Sequence, residues 1–111
     1  MDCVFCKIAK KEINSQIIYE DGDLLAFKDI NPQAPVHIVL IPKEHISTLN
    51  DVEDFSIYEK IFKAIKEIVK NAKIDETGYR IVANCNKDGG QTVFHLHFHI
   101  LGGRFMEWPP G

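Results

Sequence analysis

Residues 94–100 read Phe-His-Leu-His-Phe-His-Ile, which places three of the chain's five histidines in one short run. Read as a strand, the run alternates strictly. Phe94, Leu96, Phe98 and Ile100 turn to a core, and His95, His97 and His99 form a row on the opposite face, about 6–7 Å from one to the next. Three imidazoles in a row are hard to explain as solvation, because Thr, Lys or Glu would serve that purpose. Two chemistries compete. Histidines at i and i+2 can share a catalytic zinc with a third ligand from elsewhere. Alternatively, the row grips a phosphate while one neutral imidazole, with an ordinary pKa of about 6.5, attacks phosphorus. The preceding loop, Asp88-Gly89-Gly90-Gln91-Thr92, favours the second chemistry. Its glycines let backbone N–H groups approach an anion, and Thr92 adds a hydroxyl donor.

Cys3-x-x-Cys6 is half of a zinc site, and structural zinc takes four N or S ligands. The sequence offers His45 and His95 to complete it. The third cysteine, Cys85, has no partner and reads as a buried thiol without a proposed function.

The elements that must position these groups read as α+β. A short helix fits the first dozen residues. Strands fit 16–20 and 24–28 around the hairpin signal Asp21-Gly22-Asp23, then 36–41, 79–85 and 94–101. The helix 51–72 is the clearest, with Phe55, Tyr58, Ile61, Phe62, Ile65, Ile68, Val69 and Ala72 at helical spacing, and Asn50 and Glu53 as a capping box. Asn31-Pro32-Gln33-Ala34-Pro35 is a loop fixed by its prolines. At 111 residues the chain suits a single domain, 1–111, built as an antiparallel sheet with the long helix on one face.

Composition narrows the partners. A net charge of −3 disfavours long nucleic acids but not a small nucleotide. No apolar run approaches the ~20 residues of a membrane span. The N-terminal residues do not read as a secretory signal, and unpaired thiols suit the cytoplasm.

His95-Leu96-His97-Phe98-His99-Ile100 matches the alternating signature of the histidine-triad (HIT) family. The resemblance extends to Asp29–Pro35, Ile41–Ile46, Asp88–Gln91 and the tail Gly102-Gly103-Arg104 with Trp108-Pro109-Pro110-Gly111, which resembles that of the Hint branch of nucleoside phosphoramidate hydrolases. It implies a five-stranded antiparallel sheet with one long and one short N-terminal helix, paired into a homodimer. It also implies a hydrolase of purine nucleoside phosphoramidates that passes through a nucleotidyl-histidine on His97. His99 then bonds the phosphate or leaving group and His37 supports the triad. Asn84, Gly90, Gln91 and Thr92 match positions that hold phosphate, and Asp29 matches the acid on the ribose hydroxyls. Phe5, Ile8, Phe27, Ile30 and Val39 match an apolar slot for the base. Relatives that keep the cysteine pair resemble zinc binders through Cys3, Cys6, His45 and His95, a structural ion that the chemistry does not require. Alternatives are a dinucleoside polyphosphate hydrolase, a nucleotide-binding module without turnover, and a zinc hydrolase. Phe105 and Glu107 depart from the tail of animal relatives, which leaves the leaving group open.

Overall fold

Leu24, Leu25, Ala26 and Phe27 are all buried, and so is Ile38 through Pro42. Strands apolar on both sides need a cover on both faces of their sheet. In the computed structural model, which describes residues 3–111, the order is α1 (Val4–Ala9), β1 (Ile17–Glu20), β2 (Leu24–Lys28), β3 (Val36–Pro42), a 3₁₀ turn (Leu49–Asp51), α2 (Ser56–Asn71), β4 (Tyr79–Val82) and β5 (Phe98–Gly102). The five strands form one antiparallel sheet in the order β1-β2-β3-β5-β4. Asp21 closes the first hairpin, its Oδ1 accepting from the Asp23 and Leu24 amides, both at 2.8 Å.

The alternation of β2 and β3 sorts their side chains into two cores. Leu24, Ala26, Ile38 and Leu40 join Ile61, Ile65, Ile68, Leu96, Phe98 and Ile100 under α2. Leu25, Phe27, Val39 and Ile41 meet Ile8 of α1, with Phe5 and Ala9 packed against them. Each such large side chain contributes roughly 1.5–3 kcal/mol by leaving water. The second core therefore gives the one-and-a-half turns of α1 a reason to dock that so short a helix lacks alone.

The fold class is as expected from the sequence, and several boundaries move. The long helix starts at Ser56, not 51. The capping box belongs to the 3₁₀ turn before it and uses Thr48 and Asp51, not Asn50 and Glu53. Asp51 Oδ2 accepts from the Thr48 amide and hydroxyl, and Thr48 Oγ1 accepts from the Asn50 amide. Of the expected apolar face, Phe55 and Phe62 remain largely exposed. The fourth strand ends at Val82. The fifth begins only at Phe98, because the Leu96 amide bonds the Ile46 carbonyl rather than a strand neighbour. Phe94 is thereby left half-exposed outside the core. No helix among the described residues is long and apolar enough to cross a membrane.

At the end of α2 the Ile74 amide bonds the Val69 carbonyl and the Lys73 amide bonds Lys70, a closed C-terminal cap with Lys73 at φ 60°. That left-handed conformation strains a residue with a Cβ, and glycine relieves it. Lys73→Gly is expected to raise stability by about 0.5–1 kcal/mol. A urea midpoint that stays or falls would contradict this.

Candidate active site and metal centre

β5 and the segment that enters it carry the histidine run, but the three imidazoles do not form one outward-facing row. His95 is fully buried and His97 is 6% exposed, both covered by α1, while His99 is half-buried. His95 turns away into a cluster with Cys3, Cys6 and His45. His97 and His99 stay together, their ring centroids 5.0 Å apart.

The hydrogen bonds fix where each proton sits. His97 Nδ1 is 2.7 Å from the His95 carbonyl, so Nδ1 carries the proton and Nε2 carries a free lone pair. The Gln33 amide donates to His37 Nδ1 at 3.0 Å, which puts the His37 proton on Nε2. That N–H donates to His99 Nδ1 at 2.9 Å, with Asp29 Oδ2 at 3.4 Å. His99 is left with its proton on Nε2. The pair therefore presents one nucleophilic nitrogen and one N–H donor side by side. Phe5 from α1 stands edge-on to His97 at 5.0 Å and to Phe27 at 5.5 Å.

Burial keeps these imidazoles neutral. Desolvation lowers His97 below its ordinary value, against the opposing pull of the His95 carbonyl and of Asp29. Desolvation, and then the neighbouring His97 and His37, push His99 down to about 4. Desolvation also lowers His37, with Asp29 opposing.

Asp29, His37 and His99 lie close enough together to hold a cation. The Gln33 amide on His37 Nδ1 argues against it, because it leaves His37 Nε2 protonated and unable to ligate. Cys3, Cys6, His45 and His95 are different. Cys3 Sγ lies 3.4 Å from His95 Nδ1, and Cys6 Sγ lies 3.3 Å from His45 Nδ1 and 3.5 Å from His95 Nδ1. A sulfur–nitrogen edge of a zinc tetrahedron is about 3.6 Å, given Zn–S of about 2.3 Å and Zn–N of about 2.0–2.1 Å. His95 Nε2 donates to the Pro42 carbonyl at 2.7 Å, and His45 Nε2 lies 3.3 Å from Ser47 Oγ. Such outer contacts turn both Nδ1 lone pairs inward. Burial, and then Cys3, raise the Cys6 thiol, a penalty that a divalent cation would cancel. The donor set fits zinc, and these four residues would hold it.

The remaining expected site residues are distributed unevenly. Asp29 lies beside His37, its Oδ1 accepting from the Asn31 amide at 2.8 Å and its Oδ2 facing the imidazole. Phe5 is half-buried. Ile8, Phe27 and Val39 are core, and Ile30 is 98% exposed, so the five do not line one slot evenly. Gly90 and Thr92 are exposed on their loop. Gln91 is buried and has no donor left for a phosphate. Its Nε2 donates to the Ser47 and Val93 carbonyls, its amide bonds Asn86, and its Oε1 accepts from the Asn86 amide. Its work is to hold the loop in shape. Gly89 is required there, since a Cβ would lie 2.6 Å from the Cys85 carbonyl oxygen. Cys85 itself is half-buried rather than buried. Asn84 lies two residues beyond Val82, the strand partner of His99, and lines a cleft of about 940 Å³ between β4 and the tail. Sequence reasoning missed Gln33 and the His95 carbonyl, because both act through the backbone. It also missed Arg104 as more than a landmark.

The profile of the HIT domain matches residues 10–106. The structure is similar to that of a HIT family hydrolase from Legionella pneumophila, with TM-score 0.96 and 49% identity, covering 99% of this chain and 100% of that one. It is similar to a histidine triad protein from Clostridium difficile, with TM-score 0.94 and 49% identity over 96% and 95% of the two chains. In sequence it is 46% identical over 114 residues to a 14 kDa zinc-binding protein of Brassica juncea, covering 99% of this chain and 100% of the relative.

Metal analysis of the purified chain is expected to give one zinc per chain, lost in Cys3→Ser. Full zinc content in that variant would contradict the four-residue site.

Proposed function

The chain belongs to the HIT domain family, and from that premise we propose that it hydrolyses purine nucleoside phosphoramidates, as a Hint-branch enzyme would, with His97 as nucleophile. The observation that carries the reading is the pairing of a bare His97 Nε2 with a protonated His99 Nε2, both fixed by hydrogen bonds behind them.

His97 Nε2 attacks the α-phosphorus, and the P–N bond to the amine breaks. His99 Nε2–H donates a hydrogen bond to the departing nitrogen, which takes its proton from solvent and leaves as the neutral amine. The new N–P bond places positive charge on the His97 ring. The His95 carbonyl at 2.7 Å on Nδ1–H stabilises that charge, much as a buried carboxylate does in a serine hydrolase. Water then attacks phosphorus and releases a proton to solvent, and nucleoside monophosphate leaves with His97 restored.

Asp29 retains lone pairs for ribose hydroxyls. Phe5 and the exposed Ile30 offer apolar surface to a purine, backed by Ile8, Phe27 and Val39. Thr92 and the Gly90 backbone remain the donors for the phosphate. Asn84 joins them from just past β4, the strand beside β5, two residues beyond the partner of His99.

Zinc in the four-residue clip has a structural role in this reading. It pins α1 to the sheet and supplies no step of the reaction, and its thiolates suit a reducing compartment such as the cytoplasm. Residues 1–111 act as one domain. Pairing into a homodimer is supported by the outer edge of β4 and by Phe105 and Trp108, which are 86% and 82% exposed in the single chain.

His97→Ala is expected to abolish hydrolysis of adenosine 5′-phosphoramidate while nucleotide binding persists. Quenched wild-type enzyme should show a phosphorus–nitrogen adduct by ³¹P NMR. Turnover retained by the variant would sink the assignment. A second test is acid titration. The triad must be neutral to act and burial holds it below about 6.5, so kcat/KM should stay flat down to that pH and fall only beneath it. An acid limb above it would place the nucleophile in an exposed setting.

A further inference from the structure

Loop 29–35 supplies the amide that fixes His37, yet most of it is exposed. Its own hydrogen bonds stay local. Asp29 N bonds the His37 carbonyl, Asn31 N bonds Asp29 Oδ1, and Gln33 Nε2 bonds the Asn31 carbonyl. A tie from elsewhere in the chain comes from the start of the tail. Arg104 Nε and Nη2 both donate to the Gln33 carbonyl, at 3.3 and 3.1 Å, while its Nη1 donates to the Phe105 carbonyl at 3.0 Å. Gly103 packs so tightly on this loop that a Cβ there would sit 2.9 Å from Pro35 Cβ.

We propose that Arg104 is a positioning residue that, by clamping the Gln33 carbonyl, aims the Gln33 amide at His37 and so keeps the proton of His99 on Nε2. The inference rests on the hydrolase reading above for its consequence, though not for its geometry. Gln33 is held at both ends, its N–H by His37 Nδ1 and its C=O by the guanidinium fork. If the fork is released, Gln33 is free to turn. His37 can then carry its proton on Nδ1 and accept through Nε2. His99 must answer by donating from Nδ1, and its Nε2 becomes a lone pair with no N–H to offer a leaving group. The change moves one proton along each ring and alters no charge. A lysine keeps the cation but cannot make the fork.

The test is ¹⁵N NMR of the His37 and His99 ring nitrogens in the zinc-loaded chain, for wild type, Arg104→Ala and Arg104→Lys, with kcat and KM on adenosine 5′-phosphoramidate. Wild type should show His99 protonated on Nε2 alone. In Arg104→Ala the two His99 nitrogen signals should converge as the tautomers mix. kcat should fall between about tenfold and a hundredfold while KM stays within about twofold. Arg104→Lys should fall between the two, and it carries the test if the alanine variant does not fold. His37 and His99 signals that match wild type in either folded variant would overturn the proposal. The nitrogen signals are read without turnover, so a wild type inert toward the phosphoramidate would overturn the hydrolase reading alone.

Discussion

The hydrogen bond from His97 Nδ1 to the carbonyl of His95, at 2.7 Å, joins the two halves of this molecule. Its donor is the ring we assign as nucleophile. Its acceptor belongs to a residue whose own ring is locked among two thiols, a second imidazole and the Pro42 carbonyl. The bond decides which nitrogen of His97 is bare, and it would hold the charge that appears when that nitrogen forms a bond. A peptide carbonyl can do this only if the backbone carrying it cannot rotate. Immobilising the His95 side chain achieves that two residues from the reacting ring, without placing a formal charge beside it.

The same economy explains α1. Alone, a helix of six residues has no stability in water. Here Cys3 caps it, Cys3 and Cys6 reach the rings of His95 and His45, Ile8 enters the second core, and Phe5 stands over His97. One short segment is tied down by its two thiols at its start and by apolar packing along its length. It thereby shields the triad from water, and that burial holds the imidazoles neutral.

What was legible in the sequence follows from which groups act through side chains. The histidine run, the cysteine pair and the two-sided apolar strands stand out because residue type and spacing carry the signal. The expected strand failed at 94–97, where the Cys3–Cys6–His45–His95 cluster and the Leu96–Ile46 bond override strand pairing; Leu96 keeps its place in the core and Phe94 does not. The helix start was misplaced because Thr48–Asp51 and Asn50–Glu53 are equivalent boxes on paper, and tertiary packing chose the first. Gln91 reads as a phosphate donor by type, and only the geometry shows its donors already engaged. Backbone groups such as the Gln33 amide carry no residue signature and are invisible before the fold is known.

The proton arrangement is more constrained than the residue list suggests. Four imidazoles, those of His37, His95, His97 and His99, crowd one side of the sheet with Asp29 as the nearby acid. Charging any one of them would raise the energy of the others. Kept neutral, they share four protons among eight ring nitrogens. The Pro42 carbonyl takes the proton of His95, the His95 carbonyl that of His97, and the Gln33 amide forces that of His37 onto Nε2. With three settled, His99 has one arrangement left, because its Nδ1 must accept from His37. Backbone groups thus set three tautomers directly and the fourth through His37. The two functional nitrogens, one bare and one protonated, are consequences of main-chain geometry more than of the histidines' own preferences.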